Sequence, residues 1–379
     1  MEWVQKSLIC AVGQDHEEST IEYFADGGVL ELKSSKTYKK TIDFFAGENG
    51  SVSISARYKE KYSFTDLALR SMDIEFFHVA DQGGIHSYAD ILSWCVNVLA
   101  ASPCARQMVR EAIEKNWCIA LDDLHGGEYC IDVERKLLLL DNNALIPSAL
   151  GRSNYFRNLM LVTLSKALRD IWQEKRHGGL DEIYRADYLL LMERIRAADC
   201  DVLSILIGWE LRSEGYPELW RHLIGSENGD MAMIFSNHLE RSPSGHFDNS
   251  ALFQTFKQWF SSQSRVNACD HDILEYMDDI LGSSQTHNPF GRKKPGKINI
   301  EVLSCLPDKT AYLQGLGQEI LSNPLYSAMD DVINQTHLFH ILYDLEATIV
   351  QNVPFRSQDL ARKIFPEDFF ISSVQDQII

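Results

Sequence analysis

The chain has 379 residues, 45% of them hydrophobic, which is enough for one large domain or two to three smaller ones. It carries 54 acidic and 36 basic residues, a formal net charge of −18. Such a charge repels phosphate backbones and disfavours general nucleic-acid binding. The longest apolar stretches are far shorter than the ~20 residues of a membrane-spanning helix, and the N-terminus lacks the features of a signal peptide. We therefore expect a cytoplasmic protein with neither a nucleic-acid nor a membrane partner.

The first part of the chain has the pattern of a small antiparallel meander. Short apolar runs between residues 20 and 62 are separated by Asp26-Gly27-Gly28 and Glu48-Asn49-Gly50. Alternating apolar runs broken by Gly and Asn turns are typical of hairpins. We assign residues 1–75 to an N-terminal β-rich module.

Helical and strand patterns alternate in the middle of the chain. Residues 86–99 and 103–116 predict two helices, the second with Ser102 as N-cap and Pro103 at its first position. A meander of three short strands is predicted at 117–121, 128–133 and 136–140. From residue 153 onward the pattern is helical, and the predicted helices are 153–175, 181–214, 217–240, 249–262, 270–282, 309–321, 325–350 and 357–364.

Eight cysteines are scattered through these predicted elements without a CxxC pair, so we expect most of them to be reduced and buried. The basic segment of Arg292, Lys293, Lys294 and Lys297 lies in a Pro- and Gly-containing stretch, which favours a solvated surface loop over an anion site. Asp270 has the position of a helix N-cap.

The order of elements after residue 117 carries a family resemblance. Strands at 117–140, the helix LMLVTLSKALRDIWQE and a second helix carrying RAADCDVLSILIGWELRSEG follow one another. This order, with Trp172-Gln173 and Trp209-Glu210-Leu211, resembles an uncharacterised bacterial domain-of-unknown-function family described as putative metallopeptidases of the zincin-like sort. The resemblance covers about residues 85–240. It implies an α+β, predominantly helical fold with a zincin-like core of short strands and two long helices at 76–245, followed by a helical C-terminal region at 246–379.

In such relatives the first long helix carries a His-Glu-x-x-His motif and the second supplies a third zinc ligand. Two histidines four residues apart on a helix can bind one Zn²⁺, with the Glu as general base. Aligned on Trp172-Gln173, the first ligand position falls on Lys166, the base on Ala167, the second ligand on Asp170 and the third on about Ala197.

The residues at these positions depart from the motif. A lysine ammonium does not bind zinc at neutral pH, alanine has no donor, and one carboxylate is too little for a tetrahedral site. We therefore expect no zinc or other cofactor. The favoured hypothesis is a catalytically inactive homologue that binds or scaffolds an unknown protein or peptide partner.

Two interpretations of the first long helix stay open. Lys166 and Asp170 form either a solvated face with a weak i,i+4 ion pair or the remnant of a cleft. Asp199 lies on the apolar stripe of the second helix, where an ionised carboxylate needs a partner, and Lys166 or Arg169 is the expected cation. Such a pair would hold the two helices together in place of a metal, or it would mark a polar binding pocket. The candidate binding residues are therefore Lys166, Arg169, Asp170 and Asp199.

The best intact ligand-like spacing is that of His337 and His340, followed by Asp344. Leu338, Phe339 and Ile341 surround these histidines, so structural histidines on a packed helix are favoured over metal ligands. The alternative function is an active metal-dependent hydrolase or peptidase, with zinc bound by His337, His340 and a distant carboxylate.

Overall fold

The computed structural model of the chain describes long segments between residues 60 and 345 and only short segments before and after them. Main chain and side chains are described for 60–70, 84–124, 128–177, 184–246, 249–283 and 289–345, apart from a few side chains near the ends of helices. Short further segments are described at 8–10, 22–23, 29–31, 41–43, 348–350, 353–355 and 362–364. The described part is mostly helical with a small mixed sheet, in agreement with the predicted predominantly helical α+β class.

A five-stranded mixed sheet contains the strands predicted at 117–140. Its order is β1-β7-β8-β6-β5, and its strands are β1 (Leu8–Cys10), β5 (Tyr62–Ser63), β6 (Cys118–Asp122), β7 (Tyr129–Asp132) and β8 (Leu137–Asp141). β7 and β8 form an antiparallel pair, whereas β6 lies parallel to β8 on its other side. The predicted meander is therefore wrong in its pairing. β8 takes the central position because its four leucines, 137–140, are all buried, as is typical of a strand covered on both faces.

Two smaller sheets lie near the ends of the chain. The strands β2 (Glu22–Tyr23), β3 (Val29–Glu31) and β4 (Thr41–Asp43) pair antiparallel in the order β2-β3-β4. The strands β9 (Thr348–Val350) and β10 (Val353–Phe355) pair antiparallel. Most of the meander predicted at 20–62, and most of the helix predicted at 357–364, lie outside the described residues.

The helices of the described part follow the predicted order. They are α1 (Phe64–Leu69), α2 (Tyr88–Ala101), α3 (Pro103–Glu114), α4 (Pro147–Arg152), α5 (Asn154–His177), α6 (Ala186–Ser213), α7 (Pro217–Ile224), α8 (Gly229–Arg241), α9 (Ser250–Phe260), α10 (Gln263–Ser283), α11 (Lys297–Glu301), α12 (Gly317–Ser322), α13 (Pro324–Ser327) and α14 (Val332–Leu345). Ser102 caps α3 with Pro103 at its first position, as predicted. The hydroxyl of Ser102 accepts the amide hydrogen of Ala105, which satisfies one of the free N–H groups at the helix start.

The boundaries of four predicted helices are wrong. The helix predicted at 309–321 begins only at Gly317, and the helix predicted at 325–350 is divided into α13 and α14 and stops before the strand β9. The helix predicted at 217–240 is broken between α7 and α8, and Gly229 is needed at the break because a Cβ there would lie 2.3 Å from the carbonyl oxygen of Ile224. The helix predicted to begin at Asp270 begins at Gln263 instead. Asp270 is therefore a buried residue inside α10 and not an N-cap.

α6 lies at the centre of the molecule. It packs against α2, α3, α5, α7, α8, α9 and α10. The hydrophobic core around it extends from Phe64 to Tyr326, and so it crosses the predicted boundaries at residues 75 and 245. The division into three units stays a prediction.

Two further findings bear on the sequence predictions. In the described ranges no helix is long and apolar enough to cross a membrane. The seven cysteines from Cys95 to Cys305 are free, and five of them are buried, namely Cys95, Cys104, Cys130, Cys200 and Cys269. This agrees with the expectation that most cysteines are reduced and buried.

Candidate functional site at the seam between two long helices

The predicted site residues lie where α5 packs against α6, and buried ion pairs cross this contact. We call it the α5–α6 seam and define it by Lys166, Arg169, Asp170 and Gln173 of α5 with Arg196, Asp199 and Asp201 of α6. Three ion pairs join these residues across the contact, namely Lys166 Nζ to Asp201 Oδ1 at 2.9 Å, Arg169 Nε to Asp199 Oδ2 at 2.5 Å, and Arg196 Nη2 to Asp170 Oδ1 at 3.6 Å. All seven side chains are buried.

The pair of Arg169 and Asp199 is the best enclosed of the three. Both residues are 0% exposed. Asp199 also accepts hydrogen bonds from the amide of Gln173 and from the hydroxyl of Tyr312, whose oxygen lies 2.7 Å from Oδ1. Burial and the neighbouring carboxylate of Asp199 raise the pKa of Tyr312 well above its usual value, so its hydroxyl stays a donor. The expectation that Asp199 is buried within salt-bridge reach of Lys166 or Arg169 is confirmed, with Arg169 as the partner.

Lys166 is also buried, so a solvated face with a weak Lys166–Asp170 pair is wrong. Its ammonium contacts Asp201 and lies 3.4 Å from both carboxylate oxygens of Glu128, which precedes β7. Burial by itself lowers the pKa of a lysine, but the carboxylates of Asp201 and Glu128 reverse that effect and hold the pKa of Lys166 above its ordinary value. Trp259 Nε1 donates to the other oxygen of Asp201 at 2.7 Å. The seam therefore keeps a permanent ammonium ion between two carboxylates.

Asp170 joins a second group of charges further along α5. It is 2% exposed and accepts a hydrogen bond from the hydroxyl of Tyr129 at 3.3 Å. Arg196, its ionic partner, also pairs with Glu174 and Glu193, each at 3.0 Å. The carboxylates raise the pKa of Arg196 above its ordinary value despite its burial, which alone would lower it. Asp170 is thus held by a cation and a hydroxyl group.

The structure brings the four inferred motif positions to this part of the molecule. Ala167 is 0% exposed and lies within the core. Ala197 is partly buried and follows Arg196 on α6. Lys166 and Asp170 face α6 through their ion pairs. The alignment on Trp172-Gln173 therefore places Lys166 and Asp170 at the contact of the two long helices, and Ala167 in the core.

These residues do not fit a zinc ion. A zinc site requires three or four nitrogen, oxygen or sulfur donors that converge on one point. Lys166 offers a cation at the first position, and Ala167 offers no base. Across the described residues, no group of three or more His, Cys, Asp or Glu side chains is placed to hold a metal. No catalytic step through a metal follows from the side chains at the seam.

His337 and His340 lie on α14, on a different part of the molecule from the α5–α6 seam. His337 Nε2 pairs with Asp278 Oδ2 of α10. His340 is exposed, so the expectation of two packed histidines is wrong for it. α14 packs on α10 through Ile341 and Leu338 and leaves its other side open to solvent, which explains the difference between the two histidines.

Sequence reasoning missed several charged residues of the core. Asp201 and Arg196 were not selected, and neither was the buried pair of Arg194 with Asp270, whose N–O distances are 2.5 and 2.6 Å. Arg194 also donates to the backbone carbonyls of Tyr326 and Ala328. The available signal was the run of charged residues inside an otherwise apolar segment of α6, since such residues need partners when the whole helix is buried.

Comparison with known proteins adds one match. The sequence model of the putative metallopeptidase family (DUF6782) matches residues 78–313, which include the strands β6–β8, the α5–α6 seam and Tyr312. No curated protein and no solved structure matches the chain. Because the match covers more than half of the sequence, the chain belongs to this putative metallopeptidase family.

Proposed function

We propose that the chain is a catalytically inactive member of its family, a pseudoenzyme that works as a binding or scaffold protein. The observation that carries this proposal is the position of Lys166. At the inferred first ligand position its ammonium lies 2.9 Å from Asp201 and 3.4 Å from Glu128, so that a side-chain cation stands between carboxylates at the helix contact. A metal ion there would meet an ammonium ion of like charge.

The chemistry of the neighbouring positions supports the same proposal. Hydrolysis by a metallopeptidase needs a general base beside the metal-bound water. Ala167 stands at the inferred base position, and Asp170 already has Arg196 and Tyr129 as partners. The ion pairs join α5 to α6 and so supply a connection that a shared metal would otherwise supply. In this proposal the role of the seam is structural, because its ion pairs hold α5 and α6 together.

The proposal also covers the domain organisation of the protein, its location in the cell and the type of its partner. The sheet with α5 and α6 forms a zincin-like core, preceded by the β-rich module of residues 1–75 and followed by the helical region of residues 246–379. The protein acts in the cytoplasm of a bacterium, since the family that it resembles is bacterial, and its partner is a protein or peptide rather than a nucleic acid or a membrane. The net charge of −18 supports the exclusion of polyanionic partners.

Elemental analysis of protein purified without added metal tests the proposal. We expect zinc far below one equivalent per chain, both in the purified protein and after incubation with zinc followed by dialysis. We also expect no peptidase activity that a chelator abolishes. About one zinc per chain, or chelator-sensitive cleavage of a peptide library, would contradict the pseudoenzyme.

The family description supports a second candidate, a metal-dependent hydrolase with a non-standard site. His337 is the residue of interest here because its Nε2 already lies against a carboxylate, that of Asp278. His340 follows one turn later on the same helix. Zinc that is retained by the wild-type protein and lost on removal of these two histidines would favour this candidate.

A further inference from the structure

A concentrated patch of positive charge stands out on this acidic chain. Arg292, Lys293, Lys294 and Lys297 are exposed within six residues of one another. In the described part of the chain none of the four forms a salt bridge. Although the chain has 18 more acidic than basic groups, these four neighbouring cations have no carboxylate partner among the residues that the structure describes.

The fold brings a fifth cation to the same place. Tyr184 pairs with Lys293 in a parallel β-bridge, and the amide of Arg185 donates to the carbonyl of Lys293 at 3.1 Å. The guanidinium of Arg185 and the ammonium of Lys294 both approach the ring of Tyr188, at 5.6 and 5.8 Å from its centroid. Asp187 compensates the charge of Arg185 at 2.8 Å, whereas Lys294 has only the ring. Two cations beside one ring repel each other, and an anion bound between them would relieve that repulsion.

A cavity of about 130 Å³ opens beside this patch. Tyr184 and Asn299 line it, and Asn299 Oδ1 accepts the amide of Gly296 at 2.8 Å, so its wall is continuous with the basic loop. Leu189, Met192 and Val302 supply apolar wall, while Glu193 and Arg196, already paired with each other, supply the polar part. A cavity of ~150 Å³ accepts a benzene-sized group, so this one has room for a single apolar side chain.

We propose that this surface, the basic loop of residues 292–297 with Arg185 and the adjoining cavity, binds a short acidic segment of a partner protein that inserts one apolar side chain into the cavity. The four cations of the loop select carboxylates, and the cavity selects the apolar anchor. An extended polyanion fits less well, because the rest of this chain would repel it beyond the ~8 Å over which charges act at physiological ionic strength. The proposal holds whether or not the chain is an enzyme.

Fluorescence anisotropy with labelled acidic octapeptides tests the proposal on the full-length protein. The set carries one Leu or one Phe among Glu and Asp residues, with a matched set in which Ser replaces the apolar residue. We expect salt-dependent binding of at least one apolar-containing peptide, and about tenfold weaker binding of its Ser counterpart. The variant Lys293→Glu/Lys294→Glu should bind the same peptide at least about tenfold more weakly than the wild type, because it reverses two charges of the loop.

The matched control is Lys115→Glu/Lys257→Glu, which changes the net charge equally at two exposed lysines elsewhere. It should bind like the wild type, and circular dichroism checks that both variants are folded. If the control variant bound the peptide as weakly as Lys293→Glu/Lys294→Glu, the loss of affinity would come from the net charge alone, and the proposed site would be wrong. Absence of salt-dependent binding of any peptide by the wild type would overturn it too. Tighter binding of a single-stranded oligonucleotide or of anionic vesicles through the same lysines would overturn the choice of an acidic protein segment.

Discussion

Arg169 of α5 and Asp199 of α6 form a fully buried ion pair that also holds the chain after residue 300. The Nε and Oδ2 atoms lie 2.5 Å apart. Arg169 Nη2 donates to the carbonyl of Cys305 at 2.9 Å, while Asp199 accepts the hydroxyl of Tyr312 at 2.7 Å. Cys305 and Tyr312 lie in the C-terminal part of the family match. Each of them is hydrogen-bonded to one member of this ion pair, which connects that part of the chain to the α5–α6 seam.

The first prediction concerns the removal of one partner of this pair. Asp199→Ala leaves a buried guanidinium uncompensated, and breaking such a pair costs about 3–5 kcal/mol of unfolding free energy. The double variant Arg169→Met/Asp199→Leu should recover part of the loss, because buried charges of both signs are then absent. Recovery stays incomplete, since Gln173 and Tyr312 lose their acceptor. Urea unfolding of the three proteins measures these differences.

Glu218→Ala serves as control, because Glu218 pairs with Arg221 at an exposed position where ion pairs contribute only about 0–1 kcal/mol. A loss for Asp199→Ala no larger than that of the control would mean that the pair contributes nothing beyond a surface salt bridge.

The second prediction concerns the ammonium of Lys166. Lys166→Met leaves Asp201 and Glu128 close together without their cation, so we expect a loss of about 3–5 kcal/mol in unfolding free energy. Lys175→Met is the matched control, since Lys175 lies on the same helix but is largely exposed at its pair with Glu111. The control should lose less than about 1 kcal/mol. Equal losses in both variants would place Lys166 among ordinary surface cations.

The third prediction is that the cost of Lys166→Met falls at acid pH. Without the ammonium, the folded state raises the pKa of Asp201 or Glu128 above its unfolded value. A carboxyl whose pKa is raised on folding binds more protons in the folded state, so stability increases as pH falls through the window between the unfolded and folded pKa values. Urea midpoints of wild type and variant should therefore converge between neutral and mildly acid pH. A constant difference across that range would contradict the explanation.

The fourth prediction concerns His177, the last residue of α5. Burial, with Arg196 and Arg169 nearby, lowers its pKa to about 4 from an ordinary 6.5. Between these values the unfolded chain binds a proton that the folded protein does not, so folding stability decreases as pH falls through this window. We expect the ring resonances of His177 to stay in the neutral form from pH 8 to about 5, assigned by comparison with His177→Gln. His177→Gln should also flatten the loss of stability over the same window. A ring that titrates near its ordinary value would contradict the assigned environment.

The sequence predicted one half of the seam and missed the other for a physical reason. Asp199 could be found because it interrupts an apolar stripe of α6, and an ionised carboxylate on such a stripe needs a cation. Asp201 lies on a different side of the same helix, where a one-sided amphipathic pattern predicts solvent. α6 is covered by neighbouring helices on nearly every side, so this side is buried as well. Helix order followed from periodicity, whereas the covering of α6 depends on contacts between distant segments.

Asp270 shows a related limit of local reasoning. Its acidic neighbours and its position before an apolar run are typical of an N-cap. Its actual partner is Arg194, 76 residues earlier, and the helix begins seven residues before it. Short-range patterns cannot distinguish a cap from a buried ion pair when the partner lies far away in the sequence.

The last prediction concerns His337 and His340. His337 pairs with a half-exposed Asp278, and His340 is exposed, so His337→Gln/His340→Gln should lose no more than about 1 kcal/mol of unfolding free energy. Since no group of three or more ligand-type side chains is placed to hold a metal within the described residues, we also expect the zinc content to be the same, and low, in wild type and variant. Asp278→Asn is the control that removes the carboxylate of the His337 pair while keeping both histidines. Elemental analysis measures the zinc content, and urea unfolding measures the change in unfolding free energy. If the wild type retained about one zinc per chain and the histidine variant lost it while staying folded, the metal-dependent hydrolase would replace the pseudoenzyme as the better account of this protein.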